Sequence, residues 1–123
     1  MMESIQIQIF RALLVLALLT VALLAFMQMP EMGPQRVSDK LNHACAFYAL
    51  ALLLDFARPQ TGFGVRKFAV LMAYGVAIEF VQDFLPWREF SLLDMVADAV
   101  GLLLYIASIP LLMRLPLLRR RWQ

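Results

Sequence analysis

Residues 12–29, ALLVLALLTVALLAFMQM, form an apolar run without a single charged side chain, and no other feature of the 123-residue chain limits its folding so strongly. An α-helix rises 1.5 Å per residue, so roughly 20 mostly apolar residues are what a membrane crossing requires. The rest of the chain is of similar character. Its apolar fraction is 63% and its charged fraction 16%, where an ordinary soluble domain has about 45–50% and about 25%. One domain of this length has too little interior to hide so much apolar surface. The expected fold is therefore all-α: a polytopic membrane protein whose residues 1–123 make a single domain. No Lys or Arg precedes Arg11 and no A-x-A site follows the run, so it reads as a retained anchor rather than a cleaved signal peptide.

Helix-breaking residues divide the remainder of the chain. Pro30, Gly33 and Pro34 stop the first segment, and Ser38 or Asp39 can cap the second. Pro59, Gly62 and Gly64 interrupt the chain again, and Pro86 closes a third apolar segment. The pattern predicts four transmembrane helices at about 10–29, 39–57, 67–85 and 91–113, with Pro110 able to kink or end the last. Four spans put Arg11, Arg58, Arg66, Lys67, Arg114, Arg119, Arg120 and Arg121 on one side, and Arg36, Lys40 and Arg88 on the other. By the positive-inside rule both termini would be cytoplasmic, in a bacterial inner membrane. Trp87, Phe90 and Trp122 read as interface anchors, Asp55 as a solvated neighbour of Arg58, and Cys45 as a small core residue.

Chemistry concentrates in residues 78–98, IEFVQDFLPWREFSLLDMVAD, which hold Glu79, Asp83, Arg88, Glu89, Asp94 and Asp98. Glu79 lies seven residues before Pro86 and Asp98 seven after Ser91, so each is roughly 10 Å from the same end of its helix. His43 is at a similar depth in the second helix. Asp39 and His43 share a helix face, as do Glu79, Gln82 and Asp83, and so do Ser91, Asp94, Asp98, Gly101 and Tyr105. Ionisable groups inside a span face a bundle interior or a cavity. The expectation is one polar pocket, open to the outer side, between the second, third and fourth helices, with Lys40 and Arg88 as its cations. Ala73, Ala77, Ala97 and Gly101 would let helix backbones approach closely.

Several chemistries fit such a pocket. His43, Glu79 and Asp94 are the candidate catalytic groups, since close carboxylates split their pKa values and one retains a proton. Glu79, Asp94 and Asp98 could instead hold a divalent cation through oxygen ligands. Lys40, Gln82, Arg88 and Asp39 are candidate substrate-binding residues, with the Arg88 guanidinium suited to a phosphate. The chain has no Gly-rich phosphate loop, nucleophile elbow or zinc-ligand spacing, and the RRR at 119–121 is too short to suggest nucleic acid.

The stretches DKLNHACAFYAL (39–50) and GVAIEFVQDFLPWREFSLLDMVADAVG (75–101) together resemble the VanZ-like family of small integral membrane proteins. The family pattern runs Asp-Lys-x-x-His, Glu-x-x-Gln, a loop Arg, then Asp-x-x-x-Asn-x-x-Gly. Asp39, Lys40, His43, Glu79, Gln82, Arg88, Asp94 and Gly101 match it, and Asp98 replaces the usual Asn. The resemblance implies a cell-envelope theme of the glycopeptide (teicoplanin) resistance type, with the pocket acting on or binding a lipid-linked anionic envelope precursor. Two alternatives stand beside it: a proton- or cation-coupled transporter or flippase, which at this size would have to oligomerise, and a non-catalytic membrane subunit.

Overall fold

The computed structural model describes residues 1–27 and 35–123, with the side chains of residues 35–38 outside that description. The chain forms four helices, α1 (Ser4–Phe26), α2 (Gln35–Ala57), α3 (Val65–Gln82) and α4 (Leu92–Leu112), followed by a 3-10 turn at Arg119–Trp122. The expected breakers Pro30, Gly33 and Pro34 lie outside the described residues, as do the side chains of Arg36 and of the expected cap Ser38. α2 begins ahead of Asp39, which is therefore within the helix. α3 stops at Gln82, four residues ahead of Pro86, and closes with tighter three-residue bonds from the Phe84 amide to the Val81 carbonyl at 3.1 Å and from Leu85 to Gln82 at 3.0 Å. Ser91 caps α4 by accepting a hydrogen bond from the Asp94 amide at 3.2 Å. Pro110 sits inside α4 without ending it.

Phe47, Leu50 and Ala51 of α2, Leu71 of α3, and Leu102 and Tyr105 of α4 form the buried core. Leu14, Ala17, Leu18 and Val21 of α1 lie against it. α1 itself buries no residue, and Leu16, Leu19 and Leu23 face outward. Hydrogen bonds along its length and at its carboxyl end tie it to the rest of the chain. Arg11 donates to the Ala57 carbonyl at 3.1 Å, and Tyr74 donates to that of Leu18. Gln82 Nε2 donates to Ala25 O at 2.8 Å, Trp87 Nε1 to Phe26 O at 3.2 Å, and Arg88 Nη2 to Leu24 O at 3.0 Å. The last carbonyls of a helix have no partner within it. The 82–88 segment supplies them here.

Two glycines decide how closely the helices meet. A Cβ on Gly101 would lie 2.3 Å from the Ala44 carbonyl oxygen, so α4 lies directly on the backbone of α2. A Cβ on Gly75 would lie 2.6 Å from Asp98 Oδ2. Of the small residues expected at helix contacts, Ala97 and Gly101 are buried, whereas Ala73 and Ala77 are exposed. Cys45 is also exposed rather than in the core.

The expectation of a polytopic bundle of four transmembrane helices is corrected. Among the described helices, α1 and α4 are long and apolar enough to cross a membrane, and α2 and α3 do not meet that test. The interior is moreover built around charges. Asp55, Lys67, Glu79, Asp94, Asp98 and Arg121 are all buried, and most of them are paired with one another or with other side chains of the chain. What the structure supports is an all-α four-helix bundle with an ion-paired interior. The sidedness also loses its basis. Lys67 and Arg121, expected as basic residues marking a cytoplasmic face, are interior partners of Asp55. The inner-membrane localisation with cytoplasmic termini and the bilayer as partner rested on the four spans, and both are withdrawn.

Candidate functional site

Two charged clusters occupy opposite ends of the bundle. The first brings together α2 and α4. His43 Nδ1 lies 2.7 Å from Asp98 Oδ1, a pairing in which the ionised carboxylate accepts and Nδ1–H donates. The second ring nitrogen, Nε2, faces Asp94, whose Oδ2 is 3.5 Å away. Asp39, one helical turn before His43, completes a group with Asp94. Single donor atoms of Asp39, His43 and Asp94 all lie within 4.8 Å of one another. The side chains of Asp39 and His43 are 43% and 18% exposed and that of Asp94 only 9%, so the group is open on one side. Lys40 Nζ bonds to Asp94 Oδ1, and Ser91 Oγ is 3.3 Å from the same nitrogen.

Glu79 enters from α3. It is fully buried, and its Oε2 accepts from the Ser91 amide at 3.0 Å. Its Oε1 has no partner among the described residues. Burial raises its pKa from 4.5 to about 7; the Ser91 amide acts against this, and the neighbouring Asp94 carboxylate adds to it. For His43, burial works to lower the pKa. The bond to Asp98 and the charges of Asp94, Asp98 and Asp39 outweigh it, and the net shift is upward.

The Glu79 shift has a testable consequence. The unfolded chain ionises Glu79 near 4.5, while the folded protein keeps the proton to about 7. Folded stability therefore falls as pH rises through that window. Glutamine cannot ionise. Between pH 5 and pH 8 the parent should lose about 2 kcal/mol more stability than Glu79→Gln. Urea unfolding at the two pH values measures this, and parallel pH dependences would count against a protonated Glu79.

The structure thus brings His43, Glu79, Asp94, Asp98, Lys40 and Asp39 of the expected site together. It directs the other two elsewhere. Gln82 and Arg88 hold the carboxyl end of α1, because that helix presents unpaired carbonyls at the point where the 82–88 segment passes. Beside the expected oxygen-only set of Glu79, Asp94 and Asp98, the described residues offer a second group able to hold an ion. In it Asp39 and His43 lie with Asp94, while Asp98 lies against the other ring nitrogen of His43.

The second cluster was not expected. Asp55, expected to be solvated beside Arg58, is 0% exposed. It accepts from Lys67 Nζ at 2.8 Å, Arg121 Nη2 at 2.7 Å and the Tyr105 hydroxyl at 2.7 Å. Lys67 also donates to the carbonyls of Arg58 and Thr61, and Arg121 to those of Asp55, Pro59 and Thr61. Trp122, expected as an interface anchor, packs edge-on against Phe56 with ring centroids 5.5 Å apart. A usable signal existed: Asp55 is the one charged residue in the apolar run 44–57 of α2.

No family model matches the chain, so the resemblance to the VanZ-like family is not upheld. No solved structure matches it either. The chain is similar to a Schizosaccharomyces pombe protein named "Uncharacterized protein C11E3.10", at 30% identity over 92 residues. That alignment covers 71% of the chain and 57% of the relative's length, so the chain spans little more than half of the curated protein it matches. The envelope-precursor, transporter and membrane-subunit functions, and the antibiotic-resistance theme, depended on the family resemblance and the four spans. They are withdrawn with them.

Proposed function

We propose that the protein binds a divalent transition-metal ion at the α2–α4 end of the bundle, through Asp39, His43 and Asp94. The observation that carries this is the orientation of His43. Its Nδ1–H is held by Asp98, which turns Nε2 toward the Asp94 carboxylate. A carboxylate behind a histidine is the usual way a metal-binding imidazole is aimed, and it raises the basicity of the ligating nitrogen. One imidazole nitrogen with two carboxylates suits Zn²⁺, Mn²⁺ or Fe²⁺ better than Ca²⁺ or Mg²⁺, which favour all-oxygen ligands. The ion would join α2 to α4 and, on the open side, leave positions for water or an anionic ligand. His43, Glu79 and Asp94 are the side chains able to take up or release a proton beside it.

Equilibrium dialysis against Zn²⁺ or Mn²⁺, followed by elemental analysis, tests the reading. The parent should retain a single ion per chain in preference to Ca²⁺. His43→Ala and Asp94→Asn should each weaken retention by well over tenfold, and Asp98→Asn, which removes only the supporting carboxylate, by about 10-fold to 100-fold. A proton competes with the ion at His43 Nε2, so retention should strengthen as pH rises through the neutral range. Retention that is unchanged in His43→Ala would sink the assignment.

A further inference from the structure

Lys40 already holds two of the three residues proposed to bind the ion. Its ammonium bonds to Asp94 Oδ1, lies 3.3 Å from Ser91 Oγ, and is 3.7 Å from Asp39 Oδ2. Two of the three metal-donor residues therefore already surround a cation, supplied by the same helix that supplies two of the donors. The cluster also holds more acceptor capacity than Lys40 uses. Glu79, fully buried and against Asp94, keeps Oε1 without a partner among the described residues. The Lys40 side chain is 31% exposed, so its flexible stem has a route to solvent.

We propose that Lys40 is a resident counter-ion which an incoming divalent cation must displace, so that the ammonium sets the ion concentration at which the site fills. This rests on the metal reading of the same site. The physical reason is competition for one carboxylate. An ammonium and a divalent ion cannot both sit on Asp94 without strong mutual repulsion at contact distance. The ammonium neutralises the acidic cluster while no ion is bound. A divalent ion, carrying twice the charge and able to take the His43 lone pair as well, then replaces it and releases Lys40 outward. No covalent step is involved; one cation exchanges for another.

Isothermal titration with Zn²⁺ and with Mn²⁺ compares the parent with Lys40→Met, which keeps the stem and removes the charge, and with Lys40→Arg, which keeps the charge. Arg88→Gln serves as a control, since it removes a nearby positive charge that touches carbonyls of the α1 end and not the cluster. Circular dichroism verifies that each variant is folded. Lys40→Met should bind about tenfold tighter or more, while Lys40→Arg and Arg88→Gln should stay within about threefold of the parent. Binding by Lys40→Met alone, with none by the parent, would also support displacement. If the parent binds and Lys40→Met binds equally or more weakly, the inference fails and the metal reading stands. An equal gain in Arg88→Gln would also overturn it, by showing a general field effect. If neither parent nor Lys40→Met binds, both fall.

Discussion

Asp55→Ala should unfold the protein more readily than any other single side-chain truncation, at a cost of about 3–5 kcal/mol. The carboxylate is the shared acceptor for Lys67, Arg121 and Tyr105, and all four residues are buried. Its removal leaves two cations facing each other away from water. Lys67 can relieve part of the strain, because burial already lowers its pKa and the amine can shed its proton. Arg121 has no such escape, as a guanidinium stays charged. Replacing Arg121 as well, in Asp55→Ala with Arg121→Met, should therefore recover part of the loss, since the penalty comes from the orphaned charge rather than from the missing bond. Urea unfolding of the two single variants and the pair measures this. A loss below about 1 kcal/mol for Asp55→Ala would show that the cluster is hydrated rather than sealed. The 3-10 turn at Arg119–Trp122 should also detach, which hydrogen exchange at its amides would report.

Gly101→Ala is the second change with a large expected effect. The added Cβ meets the Ala44 carbonyl oxygen at 2.3 Å, its carbon at 3.0 Å and its Cα at 3.1 Å. All three are backbone atoms within a helix, so no rotamer change can make room. α4 must move off α2 by about 1 Å, and overpacking of this kind costs about 3 kcal/mol. The site is affected with the fold, because His43 precedes Ala44 while Asp94 and Asp98 precede Gly101 on the opposing helix. A binding geometry tolerates roughly 0.5 Å of error, so Zn²⁺ affinity should drop by about tenfold or more. Gly75→Ala provides the contrast. Its new methyl meets Asp98 Oδ2 at 2.6 Å and the Phe47 ring at 3.0 Å, both side chains that can shift. That variant should lose only about 1 kcal/mol, yet still weaken metal binding by moving Asp98 off His43. Thermal unfolding and metal titration of both variants separate the two outcomes. Equal stability of Gly101→Ala and the parent would show that the helices can part freely.

Much of the candidate site was legible because helix periodicity is a local property. Spacing of three and four residues placed Asp39 with His43 and Asp94 with Asp98, and the bundle brings those faces together. Spacing along a helix does not say which face meets which neighbour. Arg88 and Gln82 lie at suitable positions for the pocket, but the unpaired carbonyls of α1 lay nearer. Asp55, Lys67 and Arg121 are separated by 12 and 66 residues in pairing, and long-range pairs of this kind leave no periodic trace.

The amino-acid sequence by itself determined that the chain is helical, roughly where three of the helices end, and that its carboxylates gather on helix faces. Those follow from apolar spacing, proline and glycine, each of which acts over a few residues. Only the tertiary structure decided which charges are interior. Arg121 and Lys67 are indistinguishable in sequence from solvated basic residues, and became core partners because the chain end folds back onto the α2–α3 connection. The count of basic residues on either side of a membrane was misleading for the same reason: a charge is assigned to an environment by what it touches, and contact is settled by packing.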